Sequence, residues 1–381
     1  MELVVYAPPE VLISHLDVLD HLRSEHPLRA VILRGPGIEA FEAVRQRGLE
    51  AWWLAPGLWG NVKPPPELQA EFPEVPAWTE DLPEAFESRW SMFCPTVPEL
   101  PTKLASDYAR MAAEMGATGI YCTHMRYHHP ADVAQLWGCV CSRCRSGMKR
   151  HDISIGVLTD FLRRLAEALR SMPVRSWAQA GSPRTGTHPL IGWWASLTDS
   201  DVPLRWFTWK NETLQELLSG LAKAFRAASP GPFFASNSFE PIWAPLVGHG
   251  ANTLEPSAWY SPLLGYWPTH VRQSALNLAE WHARLGSVQE GADAVLAALE
   301  NVLDADGALS EAGRGVAQEL RLGSAVAAEM KLPYWPVLDG TSEAVVPLSQ
   351  AMNTARETGA TGVVLQGISQ LLEDRTLDPW H

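Results

Sequence analysis

The chain has 381 residues, 46% of them apolar and 19% charged, with a formal net charge of −13. That acidity argues against a basic nucleic-acid-binding face and against a polybasic membrane-surface protein. The apolar fraction argues against a chain that is disordered throughout. The sequence begins Met1-Glu2-Leu3-Val4-Val5-Tyr6, without a basic leader or a small-residue cleavage site. No apolar run approaches the roughly 18 residues of a membrane span. The five cysteines are an odd number, which reads as reduced thiols or metal ligands. The expectation is a cytoplasmic protein with no nucleic-acid or membrane partner, and a homo-oligomer is compatible with this composition.

Apolar, β-branched and aromatic runs predict strands at residues 3–7, 30–33, 51–54, 119–124, 233–237, 253–259, 334–338 and 362–366. Several are near-continuous apolar runs, as parallel strands covered on both faces require. Between them, Leu104, Tyr108, Met111, Ala112 and Met115 form one helical stripe, and Leu158, Phe161, Leu162, Leu165 and Leu169 another. A third stripe runs over Leu214, Leu217, Leu218, Leu221 and Phe225, with Asn211 as its expected N-cap. Gly116-Ala117-Thr118-Gly119 and Gly359-Ala360-Thr361-Gly362 echo each other, each ending a helix on glycine and starting a strand. Eight strands with intervening helices, and no glycine-rich dinucleotide fingerprint, predict an α/β fold of the (β/α)8 TIM-barrel type. One domain over 1–381 is expected, with long insertions after strands 3, 4 and 6 at 56–101, 128–206 and 268–331.

Cys139, Cys141 and Cys144 form a C-x-C-x-x-C motif that Cys94 can complete into a tetrahedral all-thiolate site. A structural zinc ion is the expected cofactor, and a set of buried thiols without an ion is the alternative. His124, His128 and His129 lie at or just past the fourth predicted strand, with Arg126 and Tyr127 among them. At a barrel mouth this group can bind a hydroxylated ligand, an anion or a metal. The 17 tryptophans exceed ordinary usage. Trp52, Trp53 and Trp259, with Trp59, Trp193, Trp194, Trp206, Trp209 and Trp267, fall where loops are expected to open upward. Aromatic faces of that kind stack on the apolar face of a pyranose. Glycoside hydrolysis needs two carboxylates. Those near strand ends are Glu240, Glu255, Asp339 and Glu343, of which Glu240 and Asp339 are the expected catalytic pair.

Three stretches carry a family resemblance. They are Phe93-Cys94-Pro95-Thr96-Val97-Pro98-Glu99, then Thr118-Gly119-Ile120-Tyr121-Cys122-Thr123-His124-Met125-Arg126-Tyr127, then the cysteine motif. Together they resemble the hypothetical glycosyl hydrolases, glycosidase-like TIM-barrel proteins with a "CP-x-x-P-E" turn, a "DGIHLDYIRYP" fourth strand and a following cysteine cluster. Phe239-Glu240-Pro241-Ile242-Trp243-Ala244-Pro245-Leu246-Val247-Gly248-His249 is similar to their "F-x-P-x-x-A-x-L-V-G-Q" segment, and Glu255-Pro256-Ser257-Ala258-Trp259 to their "K-P-M-x-Y" strand. The resemblance runs from about residue 90 to the C-terminus. It implies a glycoside or oligosaccharide as substrate, with Arg126 and Tyr127 beside it; His124, Trp52, Trp53 and Trp259 are expected around the same ligand from their own positions and chemistry. The chain departs from the pattern at Thr118 and Thr123, where the family has aspartates, and at Trp259 and His249. A threonine cannot stabilise an oxocarbenium ion by charge. A non-catalytic sugar-binding pseudo-glycosidase, and a metal-dependent enzyme using His124, His128 and His129, therefore stand beside the hydrolase reading.

Overall fold

The computed structural model describes residues 1–60, 64–71, 91–131, 133, 135–179, 188–229, 233–234, 238–250, 252–264, 267–285, 291–305, 307–341 and 344–367. Its centre is a seven-stranded parallel sheet. The strands are β1 (Glu2–Ala7), β2 (Leu28–Leu33), β3 (Glu50–Ala55), β6 (Gly119–Cys122), β7 (Phe233–Phe234), β8 (Val337–Asp339) and β9 (Gly362–Gln366). They lie in the order β7-β6-β3-β2-β1-β9-β8. β4 (Trp59–Gly60) and β5 (Ser91–Met92) form a separate antiparallel ribbon inside the proline-rich insertion.

Strand parity divides the apolar side chains into two cores, as alternation across a strand requires. Leu3, Val5, Val31, Leu33, Ala51, Trp53, Ile120, Cys122, Val363 and Leu365 face the helices. Val4, Ala30, Ile32, Trp52, Tyr121, Val337 and Val364 face the other way and gather into one inner cluster with Trp259, Leu263 and Trp335. Members from β6 and from β8, at nearly opposite ends of the strand order, meet in this one cluster, so the sheet is strongly curved.

The sixth predicted strand is displaced. Residues 253–259 form turns, closed by Thr253 N–H to Gly250 O (3.0 Å) and Ser257 N–H to Leu254 O (2.8 Å). Pro256 removes a ladder donor there. The extended pairing begins one residue later. Tyr260 bridges Tyr334, Leu263 bridges Val337 and Ser238 bridges Pro262, all in parallel sense.

The helical stripes form helices Leu100–Met115, Ile155–Ser171 and Val202–Ala228. The last starts well before the expected cap at Asn211, because Pro203 fits a first helical turn and Arg205 closes back on Asp201 at 2.7 Å. Gly116 and Gly359 take left-handed backbone angles, with φ of 65° and 85°. The expected excursion over 268–331 is helical in Gln273–Leu285, Ala292–Val302 and Ala312–Met330.

The tryptophans whose side chains are described pack the interior. Trp193 and Trp194 lie in helix Pro189–Thr198, Trp206 and Trp209 in Val202–Ala228, and all four are buried. Trp52 and Trp259 lie 5.1 Å apart, and Trp259 stacks on Trp335 at 4.6 Å. Arg29 covers the first two at 5.8 and 5.4 Å, and Glu50 accepts the Trp52 indole N–H at 2.9 Å. Arg29 and Glu50 belong to the starts of β2 and β3, so Trp52 and Trp259 stand with the strand beginnings, away from the C-terminal ends where a sugar platform was expected. Trp53 lies on the helix side, edge-on to Tyr108 at 5.7 Å. The ring positions of Trp59 and Trp267, and all of Glu343, fall outside the described residues.

Candidate functional site

Two polar constellations are built into this frame. In the first, Cys94, Cys139, Cys141 and Cys144 are all buried, and their sulfurs lie within 4.8 Å of one another. Cys94 Sγ is 3.4 Å from Cys141 Sγ and 3.5 Å from Cys144 Sγ. The four-cysteine group can hold a metal ion.

Three segments bring these cysteines together. Cys94 follows β5 by two residues, and its N–H donates to Leu68 O at 2.7 Å. The stretch around Glu71 donates its N–H to Cys139 Sγ at 3.1 Å and accepts Val140 N–H at 2.7 Å. Cys141 precedes the helix Ser142–Met148, and Cys144 sits in its first turn. Thr96 Oγ1 reaches Cys94 Sγ at 3.0 Å and Cys144 Sγ at 3.4 Å. The fifth cysteine, Cys122, is in β6, and burial alone raises its thiol pKa.

The second constellation lies just past the strand C-termini, where the βα loops of parallel α/β folds place their sites. Glu240 follows the bridging residue Ser238 by two positions and is fully buried. Its Oε1 accepts a hydrogen bond from His270 Nδ1 at 2.7 Å. The loop that carries Glu240 is clamped from two sides: Glu319 Oε2 accepts Ile242 N–H at 3.2 Å, and His188 Nε2 donates to Ile242 O at 2.6 Å. Burial, reinforced by Glu240, holds the Glu319 carboxyl well above the usual carboxylate range.

His270 lies in the π-helical turn Trp267–Arg272, a geometry that recurs at functional sites. Its ring stacks on Phe239 at 5.2 Å and meets His129 edge-on at 4.7 Å. The Arg126 guanidinium sits 4.4 Å from the Phe239 ring centroid, and its Nη1 donates to Tyr127 O at 3.0 Å. His129 Nδ1 accepts from Ala131 N at 2.9 Å and from Ser274 Oγ at 3.2 Å. Burial holds this imidazole neutral, well below its ordinary value, and His270 and Arg126 add to the effect. His249 accepts Phe239 N–H on Nδ1 at 3.0 Å and donates from Nε2 to Met125 O at 2.9 Å. Burial lowers it to about 4.

His124 is half-buried at the end of β6 with a left-handed φ of 57°, a costly conformation for a non-glycine residue. Leu58 N–H holds its carbonyl at 3.0 Å. Gly57 lies flat against the same peptide, where any Cβ would run into the carbonyls of Thr123 and His124. Burial first, then Arg126, His270 and Arg34, keep the His124 ring well below its ordinary pKa.

Asp339 ends β8 opposite Gln366, and its Oδ1 accepts from Thr341 N at 2.9 Å and Thr341 Oγ1 at 2.7 Å. Glu255 is exposed in the 252–257 turns. Thr123 Oγ1 lies 3.3 Å from His124 Nδ1. Thr118 is a structural residue, exchanging hydrogen bonds of 3.0 Å with the backbone of Ala51. Tyr127 turns toward helix Val202–Ala228, with Lys210 Nζ 4.4 Å from its ring centroid and Trp209 at 6.4 Å. Among the described residues the four cysteines are the one cluster suited to a metal; His124, His128 and His129 form none.

Sequence reasoning missed His270, Ser274, Glu319 and His188. They reach the site from helices and turns remote in the chain, and no local spacing marks them. No family model matches this sequence, and no curated protein matches it.

Proposed function

We propose that the chain is a (β/α)8 barrel enzyme that processes a carbohydrate, most simply a glycoside hydrolase, with its site at the strand C-termini. The three parallel bridges of residues 238 and 260–263 support closure of the sheet, because they link the β7 side to β8 through one further strand. The single inner cluster is what the filled interior of a closed barrel would contain.

The observation that carries the chemical reading is the buried Glu240 Oε1–His270 Nδ1 pair of 2.7 Å. A carboxylate held by an imidazole and shielded from water is suited to general acid–base work. Asp339, at the end of β8, is the second carboxylate of this reading. His124 and Arg126 orient sugar hydroxyls or a uronate. In this reading Trp52, Trp53 and Trp259 pack the interior and do not stack on the sugar. A separation of about 5–5.5 Å between the working carboxyls in a sugar complex would give retention, and about 6.5–9.5 Å inversion.

The four cysteines are read as a structural zinc site. A zinc ion with Zn–S bonds of about 2.3 Å in a tetrahedron sets sulfurs about 3.8 Å apart, close to the 3.4 and 3.5 Å spacings here. Four thiolates leave no open position, so the metal would brace the fold and take no part in turnover. Five unpaired thiols support a reducing, cytoplasmic setting.

The test is a panel of aryl glycosides, neutral and uronic, assayed with the parent protein and followed by sugar titrations. Turnover of one glycoside class supports the hydrolase. Binding without turnover replaces it with a sugar-binding pseudo-enzyme, and neither result leaves no carbohydrate function.

A further inference from the structure

A cavity of about 500 Å³ opens beside the four-cysteine cluster, away from the Glu240 site. Two of its walls are the segments that carry the sulfurs: the 95–98 turn after Cys94, and the helix Ser142–Met148 that holds Cys144. Helix Val202–Ala228 closes the third side. Thr96 faces the cavity while its hydroxyl contacts Cys94 and Cys144, so the cluster itself fixes the wall.

Donors dominate the lining. Arg143 and Arg150 bring two guanidinium groups, Thr96, Ser146 and Thr213 bring hydroxyls, and Glu216 is the one carboxylate. Arg143 is anchored through Nη2 to Glu67 O. Its Nε–H is buried and finds no acceptor among the described residues, and neither does the indole Nε1–H of Trp209. Trp209 is 1% exposed. Its indole nitrogen faces Gly147, where a Cβ would stand 3.0 Å away. A buried N–H left without an acceptor destabilises the fold, and a ligand oxygen that accepts from it relieves that cost. Pro95, Pro98 and Leu217 supply an apolar wall, and the volume suits a small organic molecule.

We propose that this cavity binds a small organic anion, an oxyanion group on a compact apolar body, with Arg143 and Arg150 holding the charge. Guanidinium groups bind phosphate and carboxylate through paired, charge-assisted hydrogen bonds. The apolar body lies against the proline wall. This site is independent of the carbohydrate reading.

Isotope labelling of the tryptophan indoles gives the direct readout, with the Trp209 resonance assigned from Trp209→Phe. The protein is titrated with phenyl phosphate, benzoate, inorganic phosphate and neutral benzyl alcohol. Phenyl phosphate or benzoate is expected to bind with a Kd of about 1 mM or tighter and to move the Trp209 resonance, while benzyl alcohol does not. The stronger of the two assigns the anion as a phosphate ester or a carboxylate. Arg143→Gln with Arg150→Gln should weaken binding about tenfold or more. Arg150→Glu alone, at an exposed position, should weaken it in a chain that keeps its fold. The proposal is overturned if no anion moves the Trp209 resonance, if benzyl alcohol binds equally well, or if Arg150→Glu binds as tightly as the parent.

Discussion

Glu240 and His270, thirty residues apart in sequence, meet at 2.7 Å through Oε1 and Nδ1 in the interior behind the strand ends. Neither side chain is placed by its own element alone. Glu240 is fixed by the loop that Glu319 and His188 clamp, and His270 by stacking on Phe239. Removing one partner of a buried hydrogen bond leaves the other unsatisfied, at a cost of about 1–3 kcal/mol. His270→Ala should therefore lower unfolding stability by roughly that amount. His270→Asn, which retains a donor, should lower it by less. Urea titrations of the two variants measure this, and equal stability of His270→Ala and the parent would show that the pair bears no load.

The four-cysteine cluster makes a separate prediction. Protein purified without chelator should carry about one metal ion per chain by elemental analysis, and strong chelation should lower its thermal midpoint, because ligation free energy is part of folding free energy. Cys141→Ser should reproduce the chelated state. Metal-free protein with an unchanged midpoint would mean that the sulfurs pack as thiols.

Acid should destabilise the fold through its buried histidines. His188, His249 and His282 are each lowered by burial to about 4 from the ordinary 6.5. In the unfolded chain these rings take up protons as pH falls below 6.5, while in the folded chain they stay neutral until about 4. The stability they provide is complete above 6.5 and is lost as pH falls toward 4, at up to about 1.4 kcal/mol per pH unit for each ring. Denaturant midpoints at pH 7, 6 and 5 check this, and a flat profile across that window contradicts it.

Gly57 offers a steric test of how His124 is held. A methyl group at position 57 would collide with the Thr123 and His124 carbonyls, and backbone cannot step aside as a flexible side chain does. Gly57→Ala should cost about 1–3 kcal/mol and displace His124 from its left-handed conformation. An unperturbed His124 imidazole resonance in that variant would mean that the turn is more adaptable than its packing indicates.

Much of this arrangement was legible in the sequence. β1 and β9 read as strands because both faces are covered and the apolar run is unbroken, and the C-x-C-x-x-C spacing with Cys94 marked a cluster that the fold assembles. The sixth strand was misplaced because Leu254 and Trp259 look like strand residues, although Pro256 and the surrounding turns exclude pairing there. The tryptophans misled for a related reason. A large ring serves core and platform equally well, and the sequence does not reveal that Arg29 and Glu50 hold Trp52 at the strand beginnings. Glu240 was singled out because it follows a strand, whereas His270 was not, since its contact with Glu240 is purely tertiary.

Whether Glu240 does acid–base work on a glycoside is decided by the turnover rate of Glu240→Gln on whichever aryl glycoside the parent hydrolyses. The amide keeps the shape and an acceptor oxygen for His270 but cannot exchange a proton. A proton-transfer role contributes about 10²–10⁴-fold, so the rate should fall by at least about a hundredfold while sugar binding persists. A variant that hydrolyses the same glycoside at the parent rate would contradict the account.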